Sequence, residues 1–135
     1  VEEETNRAED KGKIASVYIN RLRKGMKLAA DPTIKFAMKD FGLKRIYFKY
    51  LSYPSPYNTY LHTGLPPGPI NTPSIKTIDA VLNAPQTDYL FFVARSDFSG
   101  FSDFATNYQQ HLQYAKQYQQ ALDSLIRSRQ SAETE

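Results

Sequence analysis

The stretch from Tyr57 to Pro73, YNTYLHTGLPPGPINTP, constrains this chain more than any other. Gly64 and Gly68 supply backbone angles that other residues avoid, while Pro66, Pro67, Pro69 and Pro73 lock φ. A tyrosine–asparagine–threonine–tyrosine run stands before this turn, and Thr72-Pro73 follows it as a helix start. A solvent-facing connection needs none of this rigidity. A loop with so fixed a path is more often a binding loop on a scaffold than a plain connector.

The rest of the chain has to supply that scaffold. Its 135 residues suit one domain with one core. Val1 to Lys24 reads as a helix with a break near Lys11-Gly12. Ile14, Tyr18 and Leu22 share its apolar face, flanked by Ala15, Ile19 and Met26. Arg21, Arg23 and Lys24 suit the negative end of the helix dipole, and Gly25 is the stop. Asp31-Pro32-Thr33 is a second helix start, with Asp31 as N-cap and Pro32 at the first helical position, running to about Lys39. Residues 40–56 are irregular, with a candidate strand at Ile46-Tyr47-Phe48, and Tyr57 to Leu61 is compatible with another. A helix capped by Thr72 carries Ile75, Ile78 and Leu82 as its stripe and ends at Pro85. Asp88 to Ala94, DYLFFVA, is the clearest strand, apolar on both faces as a central strand would be. Phe101 to Ala105 pairs with it as the second arm of a hairpin. Thr106 or Asn107 caps a long last helix with Tyr108, Leu112, Ala115, Leu122 and Leu125 on its apolar face and a glutamine-rich outer face. Residues 127–135 form a polar tail that frays. The pattern is that of a single α+β domain, helices on a small, mainly antiparallel sheet, comprising residues 1–126.

Composition narrows the function. The chain has no cysteine, which removes disulfides and thiolate metal sites. His62 and His111 are too far apart for metal-ligand spacing, and no cofactor is implied. A net charge of +3, with basic residues dispersed from Arg21 to Lys27 and over Lys44, Arg45 and Lys49, does not make a nucleic-acid surface. No apolar run reaches the roughly 18–20 residues of a membrane span. Val1 stands where an initiator methionine would, so any signal or anchor is expected upstream. The acidic start, Glu2-Glu3-Glu4-Thr5, admits two readings: carboxylates at a helix N-terminus, or a glutamate whose pKa is raised for acid–base work by burial and like-charged neighbours.

Taken together, VEEET, ASVYINRLRKGMKLAADPTIKFAM, YNTYLHTGLPPGPINTPS, DYLFFVAR and FATNYQQH resemble the YceG-like (MltG) family of endolytic peptidoglycan transglycosylases, in order and in spacing, from Val1 to about Tyr114. The resemblance implies an enzyme with lysozyme-like active-site logic, one catalytic glutamate and no metal. Such an enzyme cleaves the β-1,4 bond between N-acetylmuramic acid and N-acetylglucosamine and leaves 1,6-anhydro-muramyl ends. It implies peptidoglycan glycan strands as substrate and cell-wall synthesis proteins as further candidate partners. It also implies a place at the periplasmic face of the cytoplasmic membrane, anchored by an upstream segment. Glu4 falls on the catalytic glutamate of the family's E-x-E-T motif. Asn20 falls in the NRL run, Asp31 to Thr33 on DPT, Tyr57 to Tyr60 on YNTY, and Thr106 and His111 on the end of an H-x-F-x-T…H pattern. Ser102 stands where that pattern has its first histidine. Tyr57, Asn58, Tyr60, Asn20 and His111 are the expected substrate-binding residues, and the Tyr57–Pro73 loop is the expected wall that keeps water from the anomeric carbon. Asp31 is read as a helix cap in preference to a second acid. The alternatives are a glycan-binding module without turnover and an interaction domain using the glutamine-rich helix.

Overall fold

The computed structural model describes residues 1–43 and 46–134. Lys44 and Arg45, named above for their charge, lie outside that set with Glu135. The elements are α1 (Ala8–Arg23), α2 (Asp31–Met38), a 3-10 turn (Phe48–Ser52), α3 (Ile75–Leu82), β1 (Phe91–Ala94), β2 (Ser102–Ala105) and α4 (Tyr108–Thr134). Four helices thus pack on a two-stranded antiparallel sheet, in register Phe91 with Ala105 through Ala94 with Ser102. The α+β class expected from the sequence is the class observed.

Helix α1 is the centre of the molecule. Ile14 and Val17 are buried on it and meet a core completed by Ala15, Leu28, Ile34 and Ala105. Gly12 does not break the helix. Its missing side chain admits the chain after α3, where a Cβ would stand 3.1 Å from Pro85 Cδ. The helix begins only at Ala8, so the acidic start is not helical. It ends as expected at Gly25, φ +70°.

The first seven residues are instead tied down by side chains. Thr77 on α3 is buried and donates its hydroxyl to Glu2 Oε2. Buried Lys11 donates its ammonium to Thr77 Oγ1 at 2.6 Å and lies 3.8 Å from Glu2 Oε2. Ser74 adds its amide and hydroxyl to the same carboxylate. These bonds hold the Glu2 carboxyl below its ordinary range, Thr77 most of all.

The middle of the chain departs from the expected strands. Ile46 to Phe48 leads into the 3-10 turn, and Tyr57 to Leu61 is a succession of turns. The backbone groups there bond locally, Asn58 N–H to Ser55 and Leu61 N–H to Asn58, so no partner strand is needed. Asp31 is the first residue of α2 rather than its cap; Ala30 holds the cap position. Ser74, not Thr72, caps α3 by accepting from the Thr77 amide. The α3 stripe is not buried either: Ile75 and Leu82 are more than three-quarters exposed, and Thr77 faces the core.

With two strands, β1 is not central. Its faces are covered by different helices: Phe92 meets Tyr18 of α1 edge-on at 5.9 Å, and Phe91 stacks on His111 of α4 at 5.0 Å. Asn107 caps α4 through the Gln110 amide. The inward line of α4 runs through His111, Tyr114, Ala115, Tyr118, Ala121, Leu122 and Leu125, leaving Tyr108 and Leu112 exposed. The helix continues to Thr134, so residues 127–134 extend it instead of forming a separate tail.

The tie of the acidic start predicts a specific weakness. Thr77→Val keeps the volume but strips the hydroxyl that joins Lys11 to Glu2, leaving a buried ammonium short of a partner. It should destabilise the fold by about 1–3 kcal/mol, read as a lower midpoint in urea unfolding. An unchanged midpoint would show that the network contributes nothing.

Candidate active site

Glu4 reaches α1 from a segment without regular structure. Its carboxylate accepts the Tyr18 hydroxyl at Oε1, 2.7 Å. Tyrosine on a buried face needs a partner for its hydroxyl, and this one finds a carboxylate. Burial raises the Glu4 pKa above the ordinary glutamate range. The Tyr18 bond opposes that rise, Asp31 adds to it, and Lys35 opposes it weakly. Tyr18 is itself raised far beyond its usual value by burial and by Glu4. It therefore acts only as a donor to Glu4.

Glu4 stands between two cavities. One, of about 350 Å³, is lined by Glu4, Tyr18, Arg21, Asp31, Tyr60 and His111 together with Leu28, Ala29, Phe91, Phe92 and Tyr108. The other, of about 450 Å³ and mainly apolar, has Glu2, Glu3 and Glu4 on one side and Leu65, Ile70, Asn71 and Pro73 on another. The far end of the Tyr57–Pro73 loop therefore does meet the acidic start, and Asn71 donates its amide to Glu3 at 3.3 Å.

The near end of that loop is bolted to the start of α2. Thr33 and Thr59, both buried, bond to each other at 2.8 Å. Thr59 Oγ1 also accepts the Ala30 amide at 2.9 Å, and Thr59 O accepts the Ala29 amide at 3.2 Å. That last bond holds Ala29 at φ +48°, a strained value for a residue with a side chain, on the wall of the first cavity. The register so fixed brings Tyr60 to Asp31, whose Oδ1 accepts the phenol at 2.5 Å.

The expected site residues divide. Glu4, Tyr60 and His111 line one cavity. His111 lies with its ring on Phe91 and its Nδ1 buried with no partner among the described residues. Burial and Arg21 lower its pKa, which keeps the ring neutral. The other three lie elsewhere. Asn58 is 0% exposed, and its amide is used up on Leu51 O, Tyr53 O and the Tyr60 amide. Its position is that of a turn-former, not of a sugar-reading side chain. Asn20 donates to Thr87 O at 2.8 Å and Tyr89 O at 2.9 Å, which fastens α1 to the chain entering β1. Tyr57 packs on Phe36 at 4.7 Å, and its hydroxyl lies against Gly68. Ser102 lies on β2, its amide bonded to buried Asp10 at 2.7 Å.

Three residues of the cavity were read otherwise from the sequence. Tyr18 looked like part of an apolar stripe, Arg21 like a helix-dipole cation and Asp31 like a cap. Arg21 spans the cavity floor, donating Nε to Leu90 O at 2.7 Å and Nη1 to Lys27 O at 3.0 Å, with its guanidinium 4.9 Å from the Phe91 centroid. The one available signal was that polar groups on a buried face must be satisfied.

Residues 1–117 match the model of the YceG-like family. The chain is 46% identical over 100 residues to an endolytic murein transglycosylase of Bacillus subtilis, covering 72% of this chain and 27% of that protein. It is 35% identical over 115 residues to one of Streptococcus pneumoniae, covering 82% and 21%. The chain thus spans about a quarter of the length of these relatives. The crystal structure of a yceG-like protein from Listeria monocytogenes superposes with a TM-score of 0.77 at 37% identity, covering 82% of this chain and 36% of that one.

Tyr18→Phe tests the hold on Glu4. The phenol favours the carboxylate, so its loss should move the Glu4 titration to higher pH, read by NMR of the Glu4 carboxyl carbon. A midpoint that stays or falls would mean that the hydroxyl does not reach the carboxylate in solution.

Proposed function

The chain belongs to the YceG-like family, and from that premise we propose that it cleaves peptidoglycan glycan strands as a lytic transglycosylase with Glu4 as its single acid–base group. The observation that carries this reading is one carboxyl, raised in pKa by burial, held at Oε1 by Tyr18 and standing between two cavities. A glycosidic oxygen is a poor leaving group and must be protonated as its bond to the anomeric carbon breaks. Glu4 gives that proton from Oε2. As a carboxylate it then takes the proton of the muramyl 6-hydroxyl while that oxygen attacks the anomeric carbon and closes the 1,6-anhydro ring. The substrate's acetamide shelters the cation between the two events. The aromatic face of Tyr60 and the neutral imidazole of His111 suit a sugar ring and its hydroxyls. An endolytic cut needs a strand that continues on both sides of the broken bond, and a glutamate between two cavities meets that need. Asn58, Asn20 and Tyr57 serve this site by holding its walls. In this reading the protein works in the cell envelope, where strand cleavage terminates growing glycans. No helix among the described residues is long and apolar enough to cross a membrane.

The test is cleavage of purified peptidoglycan, with the ends identified by mass spectrometry. The wild type should give 1,6-anhydro-muramyl ends, and Glu4→Gln should lose at least about a thousandfold in rate. Reducing ends would indicate a hydrolase. Binding without cleavage would leave a glycan-binding module and sink the catalytic reading.

The raised Glu4 pKa has a consequence for stability as well. The fold favours the neutral acid, so this group's stabilisation is complete below the ordinary glutamate range and is lost as pH rises through the raised value. At neutral pH the wild type carries the cost of a partly buried carboxylate that Glu4→Gln avoids. The variant should melt about 2–4 °C higher at pH 7, with the gap closing in acid. A variant that melts lower at pH 7 would show that the charge is not disfavoured in the fold.

A further inference from the structure

Asp31 has no capping role in this fold. Ala30 occupies the cap position, and the first turn of α2 is closed by Thr33, whose amide and hydroxyl both bond Ala30 O, at 3.0 and 2.6 Å. The Asp31 side chain instead points into the cavity that holds Glu4, with Oδ1 accepting from Tyr60. Three features fix it there: its place at the start of α2, the Tyr60 phenol, and the buried Thr33–Thr59 pair that sets Tyr60 in register. Its carboxylate is thus fastened on the wall of the cavity that Glu4 also lines.

Resting on the transglycosylase reading, we propose that Asp31 is a second catalytic carboxylate, whose negative charge stabilises the glycosyl cation formed when Glu4 protonates the leaving oxygen. The two groups differ by environment. Glu4 is desolvated and suited to carry a proton. Asp31 is exposed, is the first residue of α2 and accepts the Tyr60 phenol at Oδ1. Tyr60 cannot protonate it, because burial and Asp31 together push the phenol pKa upward. The remaining oxygen, Oδ2, is left to face the substrate. Asp31 transfers no proton. The proton released by Glu4 goes to the departing oxygen, the anomeric C–O bond breaks, and the 6-hydroxyl returns a proton to Glu4 as the new C–O bond forms. Asp31 only lowers the cost of the positive charge between those steps. Tyr18, Arg21, Tyr60, Tyr108 and His111 are the other titratable or charged groups of the cavity, and Lys35 of α2 acts on Glu4 from nearby. None of them supplies a negative charge at neutral pH.

The proposal separates from a structural role by its pH signature. Asp31 raises the Glu4 pKa, so Asp31→Asn should shift the basic limb of the activity profile to lower pH. Its kcat should fall about 10- to 100-fold with KM little changed. Asp31→Glu, which keeps the charge, should keep the wild-type limb. Tyr60→Phe keeps the ring and both carboxylates but unfastens Asp31, and should lower kcat several-fold without loss of binding. A kcat for Asp31→Asn within twofold of wild type, or an unmoved basic limb, overturns the proposal. So does a Tyr60→Phe of full activity, even where Asp31→Asn fails to fold. A wild type that binds glycan without cutting it fails at the earlier step, and both readings fall together. A wild type that cuts while Asp31→Asn cuts equally well removes only this one.

Discussion

The hydrogen bond from Tyr18 to Glu4 is the contact on which the rest of the structure converges. To serve as the proposed general acid, Glu4 has to be desolvated enough to keep its proton and open enough to deliver it. Here the carboxyl lies on a segment with no helix or strand of its own, so its position depends on what pins that segment. Tyr18 pins it at Glu4, and Lys11 and Thr77 pin it two residues earlier at Glu2. Both anchors are on or against α1. The buried polar groups of this small core are thus not an inefficiency of packing. They are the means by which an irregular strand of chain acquires the precision of a helix.

The same logic explains the second half of the site. The turns from Tyr57 onward have no ladder to align them, and the buried threonine pair does that work by joining them to the start of α2. The strain at Ala29 is sustained by one of these bonds. Two irregular segments, each fastened to a helix by buried hydroxyls, therefore face one another across a cavity. The arrangement leaves their carboxylates with unlike surroundings. One is partly buried against Tyr18, and the other stands exposed at the first residue of α2.

The helices and the hairpin were legible in the sequence because periodicity reports burial, and burial forms helices and strands. The predicted class follows from that, and the C-terminal end of α1 follows from Gly25 as its stop. Periodicity failed where hydrogen bonding overrode it. Gly12 looked like a break but is a contact surface for Pro85. Tyr57 to Leu61 alternates like a strand but closes on itself, since Asn58 satisfies its neighbours more cheaply than a partner strand could. The stripe of α3 looked like core, yet the face turned inward is the one carrying Thr77, chosen for its hydroxyl. Site residues followed the same division. The burial of Glu4 was not legible, because nothing in a run of three glutamates says which one is buried.

Asn58 and Asp31 show why side-chain chemistry alone cannot assign roles. An amide in a rigid loop suggests a sugar contact, and an aspartate before proline suggests a cap. Each inference rests on what the group can do, while its role depends on which backbone groups nearby are already satisfied. Leu51 O and Tyr53 O have no ladder partner, so they claim the amide of Asn58. The first turn of α2 is closed by Thr33 on Ala30, so it makes no claim on Asp31. The unmet need of the backbone draws one polar side chain inward, and its absence releases the other toward the cavity. On the proposed reading, the catalytic surface of so small a domain is assembled from side chains that the fold does not need for itself.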